Sequence, residues 1–165
     1  MQLYQAINPE DWQAASQLLL STIDHLDRIG CPLWTSQQVS PQTLSGAYSL
    51  DQLHFLVEDA TRIGLVFLMH SDAAFWPEII GQDTLYFHKL ALLPSSMSRG
   101  NGRLAMVAIV EEARRRKCNW VRCDCDDRPA LHRFYQGCSF ELVDFKSIAP
   151  YRIARYQLFM DSDEE

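Results

Sequence analysis

A glycine turn set between an apolar strand and a long amphipathic helix constrains this chain more than any other feature. Leu85 to Leu93 is densely apolar and reads as a strand buried on both faces. Arg103 to Lys117 places Met106, Ile109, Val110 and Ala113 on one helical stripe, with Glu111 and Glu112 each four residues ahead of Arg115 and Arg116. Its basic last turn complements the negative end of the helix dipole rather than forming a nucleic-acid patch. Trp120 to Cys125 is again a strand. A strand, a crossover helix and a second strand require the two strands to run parallel.

The flanking segments call for a different connectivity. Leu3 to Ile7 reads as a short strand; Asn8 caps the next helix, with Pro9 at its first position, and Trp12, Ala15, Leu18, Leu19, Ile23 and Leu26 form its stripe up to Gly30. Pro41 to Ala47 makes a short second helix. Leu53 to Val57 and Ile63 to His70 are joined by Glu58 to Arg62, a loop short enough for an antiparallel hairpin. A longer connection, Ser71 to Asp83, carries Phe75, Trp76 and Pro77. After Cys125 come a helix, Pro129 to Gly137, and two strands, Phe140 to Phe145 and Arg152 to Met160. The expected architecture is therefore α/β (α+β): a mixed, mostly antiparallel twisted sheet of about six to seven strands, flanked by about four helices. No linker or repeat divides the chain, so a single domain over 1–165 is expected, with an acidic tail from about 161.

Composition narrows the function. Fifteen Lys and Arg against 21 Asp and Glu give a net charge of −6, which repels a phosphate backbone and argues against nucleic acid. Cys31, Cys118, Cys123, Cys125 and Cys138 are odd in number and include no CxxC pair, which suits reduced thiols. Cys123 and Cys125 alternate along a strand toward one buried face; no second Cys/His pair stands at zinc spacing, so no metal is expected. The start of the chain lacks a signal-peptide pattern and no run approaches the roughly 18 to 20 apolar residues of a membrane span, so cytoplasm is the expectation and no membrane partner is foreseen.

The turn itself is Pro94-Ser95-Ser96-Met97-Ser98-Arg99-Gly100-Asn101-Gly102. Its glycines open backbone angles closed to other residues and leave no Cβ against a ligand. The helix that follows offers unpaired N–H groups and a positive dipole end, so a pyrophosphate is a natural occupant, with Arg99 and Arg103 as added charge. Gly100-Asn101-Gly102-Arg103-Leu104-Ala105 also satisfies a GxGxxA dinucleotide fingerprint with Asp124 about 20 residues on. A dinucleotide turn, however, puts its first glycine almost directly after the strand, and here Pro94 to Arg99 intervene.

From Leu85 to Val143 the chain resembles the GNAT superfamily of acyl-CoA N-acyltransferases. Leu90-Ala91-Leu92-Leu93-Pro94 looks like that family's fourth strand, and Arg99-Gly100-Asn101-Gly102-Arg103-Leu104 like its pyrophosphate loop. Asp127-Arg128-Pro129-Ala130-Leu131-His132-Arg133-Phe134-Tyr135 is similar to its N-P-x-x-x-x-x-Y segment. Three residues depart from the pattern: Met97 stands where Gln or Arg is common, Arg128 where Asn is, and Ser139 where Gly precedes Phe140.

The resemblance implies an N-acetyltransferase that moves an acetyl group from acetyl-CoA to an amine acceptor, small molecule or protein, by direct attack. It implies fourth and fifth strands splayed to hold acyl-CoA. Leu90, Ala91 and Leu92 would meet pantetheine, Met97, Ser98, Arg99, Gly100, Asn101, Gly102, Arg103 and Leu104 the pyrophosphate, and Arg128 and Tyr135 the thioester arm. Tyr135 matches the family's tyrosine acid. For the base, strand alternation puts Tyr86, His88 and Leu90 on one face, which makes His88 the candidate, with Glu78 and Asp124 as further carboxylates. Cys31 to Ser49, with Trp34, and the loop Phe75 to Glu78 are expected to shape the acceptor site. The resemblance admits a homodimer. A CoA-binding or sensing module without turnover is the alternative that Met97 and Arg128 suggest, and a nicotinamide-dinucleotide protein is a third.

Overall fold

The computed structural model describes residues 1–160; the acidic tail expected from about 161 lies outside the described residues. Seven strands, β1 (Gln2–Gln5), β2 (Leu53–Glu58), β3 (Thr61–Met69), β4 (Thr84–Leu92), β5 (Trp120–Asp126), β6 (Glu141–Ile148) and β7 (Tyr151–Phe159), form one sheet in the order β1-β2-β3-β4-β5-β7-β6. Four α-helices accompany them: α1 (Asp11–Arg28), α2 (Pro41–Ala47), α3 (Asn101–Arg115) and α4 (Pro129–Gly137). β4 and β5 pair parallel, whereas β1/β2, β2/β3, β5/β7 and β6/β7 are antiparallel. The mixed sheet expected from the crossover is the one observed. Among the described residues no helix is long and apolar enough to cross a membrane.

The chain forms two compact units, Met1–Leu68 with Lys89–Ala108 and Met69–His88 with Ile109–Glu165. In the first, β2 and β3 have apolar side chains on both faces. Phe55, Leu65 and Phe67 pack with Ala15, Leu18, Leu19 and Ile23 of α1 and Leu44 of α2. Leu56 and Ile63 pack on the other side with Ala105 of α3 and with Leu90 and Leu92. Each fully buried aliphatic of this set is worth roughly 1.5 to 3 kcal/mol.

Two local features differ from expectation. Asn8 does not cap α1: the helix starts at Asp11, whose Oδ2 accepts hydrogen bonds from the N–H groups of Ile7 (3.2 Å) and Asn8 (3.3 Å) while Oδ1 pairs with Arg62 at 3.0 Å. Asp11, in the first turn of α1, thus ties the entering chain down. The β2/β3 loop is also tighter than Glu58 to Arg62, because Glu58 pairs with Thr61 and only Asp59 (φ 47°) and Ala60 (φ 62°) turn. Two successive left-handed residues make the primed turn whose twist suits a hairpin.

In the second unit the parallel register runs Thr84↔Trp120, Leu85↔Val121, Tyr86↔Arg122 and, among the described residues, ends there. Strand alternation then sorts side chains onto two faces. Tyr86, His88, Arg122, Asp124 and Arg155 share one, covered by Trp76 of the connection before β4, whose ring centroid lies 6.3 Å from Tyr86 and 4.3 Å from the Arg155 guanidinium. Phe87, Cys123, Cys125 and Tyr156 share the other, where Tyr135 of α4 lies 6.2 Å from Phe87 and 5.4 Å from Tyr156. None of the five cysteines forms a disulfide, and Cys123 and Cys125 are both buried as alternation predicts. Burial pushes the Cys125 thiol up to about 12.

α4 ends in a Schellman motif: Phe140 N–H donates to Tyr135 C=O and Ser139 N–H to Gln136 C=O, both at 3.0 Å, with Ser139 at φ 66°. This is why glycine is usual in Ser139's place.

Candidate functional site

In the first unit the segment after β4 makes a single 3-10 turn over Pro94–Ser96 and swings through Ser98 (φ 58°) and Gly100 (φ 78°) into α3. Gly100 needs its glycine for that angle alone, since a Cβ there would meet no heavy atom within 4 Å. The loop is braced from within: the Asn101 side chain, 8% exposed, donates to the Ser96 carbonyl at 2.9 Å. Ser98, Arg99, Arg103 and Leu104 are exposed and Met97 is half-buried. What this loop offers an anion is therefore main-chain N–H at the start of a long helix, with Arg99 and Arg103 at its rim.

The strand before it has a definite sidedness. Leu93 N–H donates to Ile63 C=O at 2.8 Å, and the Ala91 carbonyl would lie 2.5 Å from a Cβ at Gly64. Ala91 and Leu93 thus turn their main chain toward β3, and by alternation Leu90 and Leu92 turn theirs away. Glycine at 64 is what permits the close approach. Lys89 sits at φ 52° in mid-strand, with its ammonium 5.1 Å from the Trp34 ring centroid, so the segment Cys31 to Ser49 does reach β4.

A left-handed residue cannot continue the pleat, so the alternation expected from Tyr86 through His88 to Leu90 is broken after His88. His88 lies in the second unit, its side chain 12% exposed, and is held from two sides. Nε2 stands 2.8 Å from Asp72 Oδ2, and Nδ1 stands 3.5 Å from Asp124 Oδ1. The Phe75 ring centroid lies 5.8 Å from the imidazole. An ionised carboxylate can only accept, so at the short contact Nε2 carries the hydrogen and Nδ1 has the lone pair.

Tyr135 is 7% exposed, ringed by Phe87, Phe134, Phe140 and Tyr156, and its hydroxyl is hydrogen-bonded with the Cys123 thiol. Burial, with the nearby Cys123, Cys125 and Asp124, pushes the phenol well above its ordinary value. It remains protonated at any working pH. Arg128 occupies the extended residue before α4 and its guanidinium pairs with Asp126.

The two fallback carboxylates separate. Asp124 joins His88 as described. Glu78 pairs with the buried Arg155 and stands 3.5 Å from Lys146; burial raises its carboxyl, but its own backbone N–H and these cations more than offset that and hold it below the ordinary value. It is engaged in ion pairs with Arg155 and Lys146.

Asp72 is the residue that sequence reasoning missed. Its only sequence signal is an acid opening a turn: Oδ1 accepts from Phe75 N–H at 3.1 Å and its carbonyl accepts from Trp76 N–H at 2.8 Å. Nothing in that pattern points to His88. Asp72, His88 and Asp124 bring oxygen, nitrogen and oxygen atoms within 4.8 Å of one another, an arrangement that only the fold assembles.

No protein-family model matches the chain, and no curated protein matches it by sequence. Solved structures do match it by shape. An aminoglycoside acetyltransferase, AAC(6')-Ib, in complex with coenzyme A and kanamycin superposes with a TM-score of 0.73 at 15% identity, over 96% of this chain and 94% of that one. The putative acetyltransferase yncA from Salmonella typhimurium with its cofactor acetyl-CoA gives 0.67 at 15% identity, over 100% and 96%. An acetyltransferase of the GNAT family from Bacillus anthracis gives 0.66 at 12%, over 95% and 93%. The mixed sheet is not the doubly wound parallel sheet that a dinucleotide fingerprint needs.

Proposed function

We propose, from the GNAT acetyltransferase fold that the chain adopts, that the protein transfers an acetyl group from acetyl-CoA to an amine by direct attack. The observation that carries this reading is His88, its hydrogen fixed on Nε2 by Asp72 and its Nδ1 directed toward Asp124. In this reading the main chain of Met97 to Gly102 holds the pyrophosphate. The outward main-chain groups of Leu90 and the Leu92 N–H pair with the pantetheine amides, the Leu92 carbonyl being held by the Thr22 hydroxyl at 3.1 Å.

The chemistry needs an unprotonated amine, a stabilised tetrahedral oxyanion and help for the departing sulfur. His88 Nδ1 takes the amine's proton, and Asp72 and Asp124 stabilise the imidazolium that results. The amine nitrogen bonds to the acetyl carbon, and the carbon–sulfur bond breaks to release a thiolate. Tyr135 donates a hydrogen bond to that sulfur. Full transfer of its proton would leave a phenolate in an apolar cage, so the raised pKa supports donation rather than transfer. His88 and Tyr135 stand on opposite faces of the second unit's sheet.

Thiol release from acetyl-CoA across a panel of amines tests the reading. The His88→Gln variant is expected to lose about a hundredfold in kcat at neutral pH, with the loss shrinking as pH rises and the amine deprotonates unaided. Thermal stabilisation by acetyl-CoA without thiol release from any amine would replace it with the second reading, a CoA-binding module, which Met97 in the loop favours. Neither stabilisation nor release would sink both.

A further inference from the structure

Arg155 is 3% exposed, yet its guanidinium meets two separate anions. Nε and Nη2 donate to Asp144 of β6 at 2.7 Å each, and Nη1 donates both to Glu78 and, at 3.0 Å, to the Phe75 carbonyl. Arg155 joins Asp144 to Glu78, with Lys146 of β6 a second, longer contact to Glu78 at 3.5 Å. Asp144 belongs to the sheet and Glu78 to the connection between β3 and β4.

That connection also carries Asp72. The peptide groups of Phe75 link the two ends: its N–H donates to Asp72 Oδ1 at 3.1 Å, and its C=O accepts from Arg155 at 3.0 Å. Asp72 then uses its other oxygen on His88, and the Trp76 ring lies against the Arg155 guanidinium at 4.3 Å, filling the space beneath the turn. A hydrogen-bonded line therefore runs from a buried cation in β7, through one backbone residue and one carboxylate, to the imidazole.

We propose that Arg155 is a positioning residue for His88: by clasping the Phe75–Glu78 turn to the sheet it holds Asp72 against Nε2. The proposal rests on His88 being the base of the acyl transfer. A rigid clasp matters because the bond it maintains fixes which imidazole nitrogen carries the hydrogen, and misplacement of a base by about 1 Å costs on the order of a hundredfold in rate. Breaking the clasp frees the turn, and Asp72 with it. The charged and titratable groups on the face that carries His88 include Asp72 from the turn, Asp124 and Arg122 from β5, Arg155 from β7 and Tyr86 on its own strand. Loss of Asp72 leaves Asp124 facing Nδ1 at 3.5 Å.

The test compares Arg155→Met, Arg155→Lys and Glu78→Ala with the unmodified full chain, using two readouts. Imidazole NMR titration follows His88, identified as the signal missing from His88→Gln. Steady-state acetyl transfer gives kcat and the KM for acetyl-CoA. The expected result is a lower His88 protonation midpoint in Asp72→Asn and, to a smaller extent, in Arg155→Met. Arg155→Met loses about tenfold or more in kcat at unchanged KM for acetyl-CoA, and Arg155→Lys recovers part of both effects. A merely structural arginine would lower the melting temperature and leave the midpoint in place. An unmoved His88 midpoint in Arg155→Met overturns the clasp, and should that variant not fold, an unmoved midpoint in Glu78→Ala overturns it. The titration needs no turnover, so absence of any acetylated amine would remove the proposed function without deciding the clasp.

Discussion

A phenol enclosed by Phe87, Phe134, Phe140 and Tyr156 gives up its proton far less readily than one in water, because no solvent is there to stabilise the phenolate. The same enclosure makes Tyr135 a dependable hydrogen-bond donor. Tyr135→Phe should lower kcat by about 10- to 100-fold, the loss of one donor to the departing sulfur. Stability should fall by only about 1 kcal/mol, since one bond to the Cys123 thiol is lost and the ring contacts stay. Thiol-release kinetics and thermal melts on the same preparation check both halves. Were the kinetic loss absent, Tyr135 would be an aromatic core residue and nothing more. His88 was legible in the sequence as a lone histidine on a buried strand. Asp72 was not, because an acid in a loop reads only as a turn residue until the loop's path is known.

Helix ends show where the chain accepts strain. Ser139 (φ 66°) and Lys117 (φ 59°) each occupy the left-handed residue that closes a helix, a conformation that costs L-residues roughly 1 to 2 kcal/mol and glycine almost none. Ser139→Gly should raise unfolding stability by about 0.5 to 1 kcal/mol, read from urea unfolding, with no loss of activity. A drop in stability would mean that the Ser139 side chain makes a contact worth more than the strain. At the other end of the scale of strength, Glu112 in the last turns of α3 receives Arg115 at 2.6 and 2.8 Å and Arg116 at 2.6 Å. The Arg115 hydrogen bonds, reinforced by Arg116 against the opposing effect of burial, hold its carboxyl at about 2. A depressed carboxylate stabilises the fold fully above its ordinary pKa of about 4.3 and loses that contribution as pH falls through 2. Glu112→Gln should therefore cost about 1 to 2 kcal/mol near pH 7, discounted for the exposure of Arg115, and the gap between variant and parent should close between about pH 4.5 and 2. Melting curves taken across that range decide it.

For the whole molecule, the proposed cofactor is the simplest probe. A ligand that binds only the folded chain stabilises it by about 2.7 kcal/mol at a concentration a hundredfold above its Kd. For a chain of this size that is a rise of roughly 5 to 10 °C in melting temperature with acetyl-CoA. Gly100→Val should reduce the rise, because a β-branched residue disfavours φ 78° and shifts the main chain of the loop. An undiminished shift in that variant would place the pyrophosphate elsewhere.

The order of elements, the parallel pair and the glycine turn are properties of the sequence itself. They rest on short-range periodicity, on the residues that start and stop helices, and on the length of a crossover that leaves two strands no antiparallel option. His88 could be picked out for the same reason, since strand spacing sets its face, whereas Tyr135 was indicated by the resemblance of Asp127 to Tyr135 to a family segment. What only the tertiary structure decided is their surroundings. Asp72 is 16 residues from the histidine it orients, and Arg155 is 77 residues from the glutamate it clasps. The intervening turn has no periodicity to reveal its path. Its course is set by a buried cation that must be neutralised and by the Trp76 ring that fills the space beneath it. Those are constraints of desolvation and packing that arise only once distant strands have been brought together.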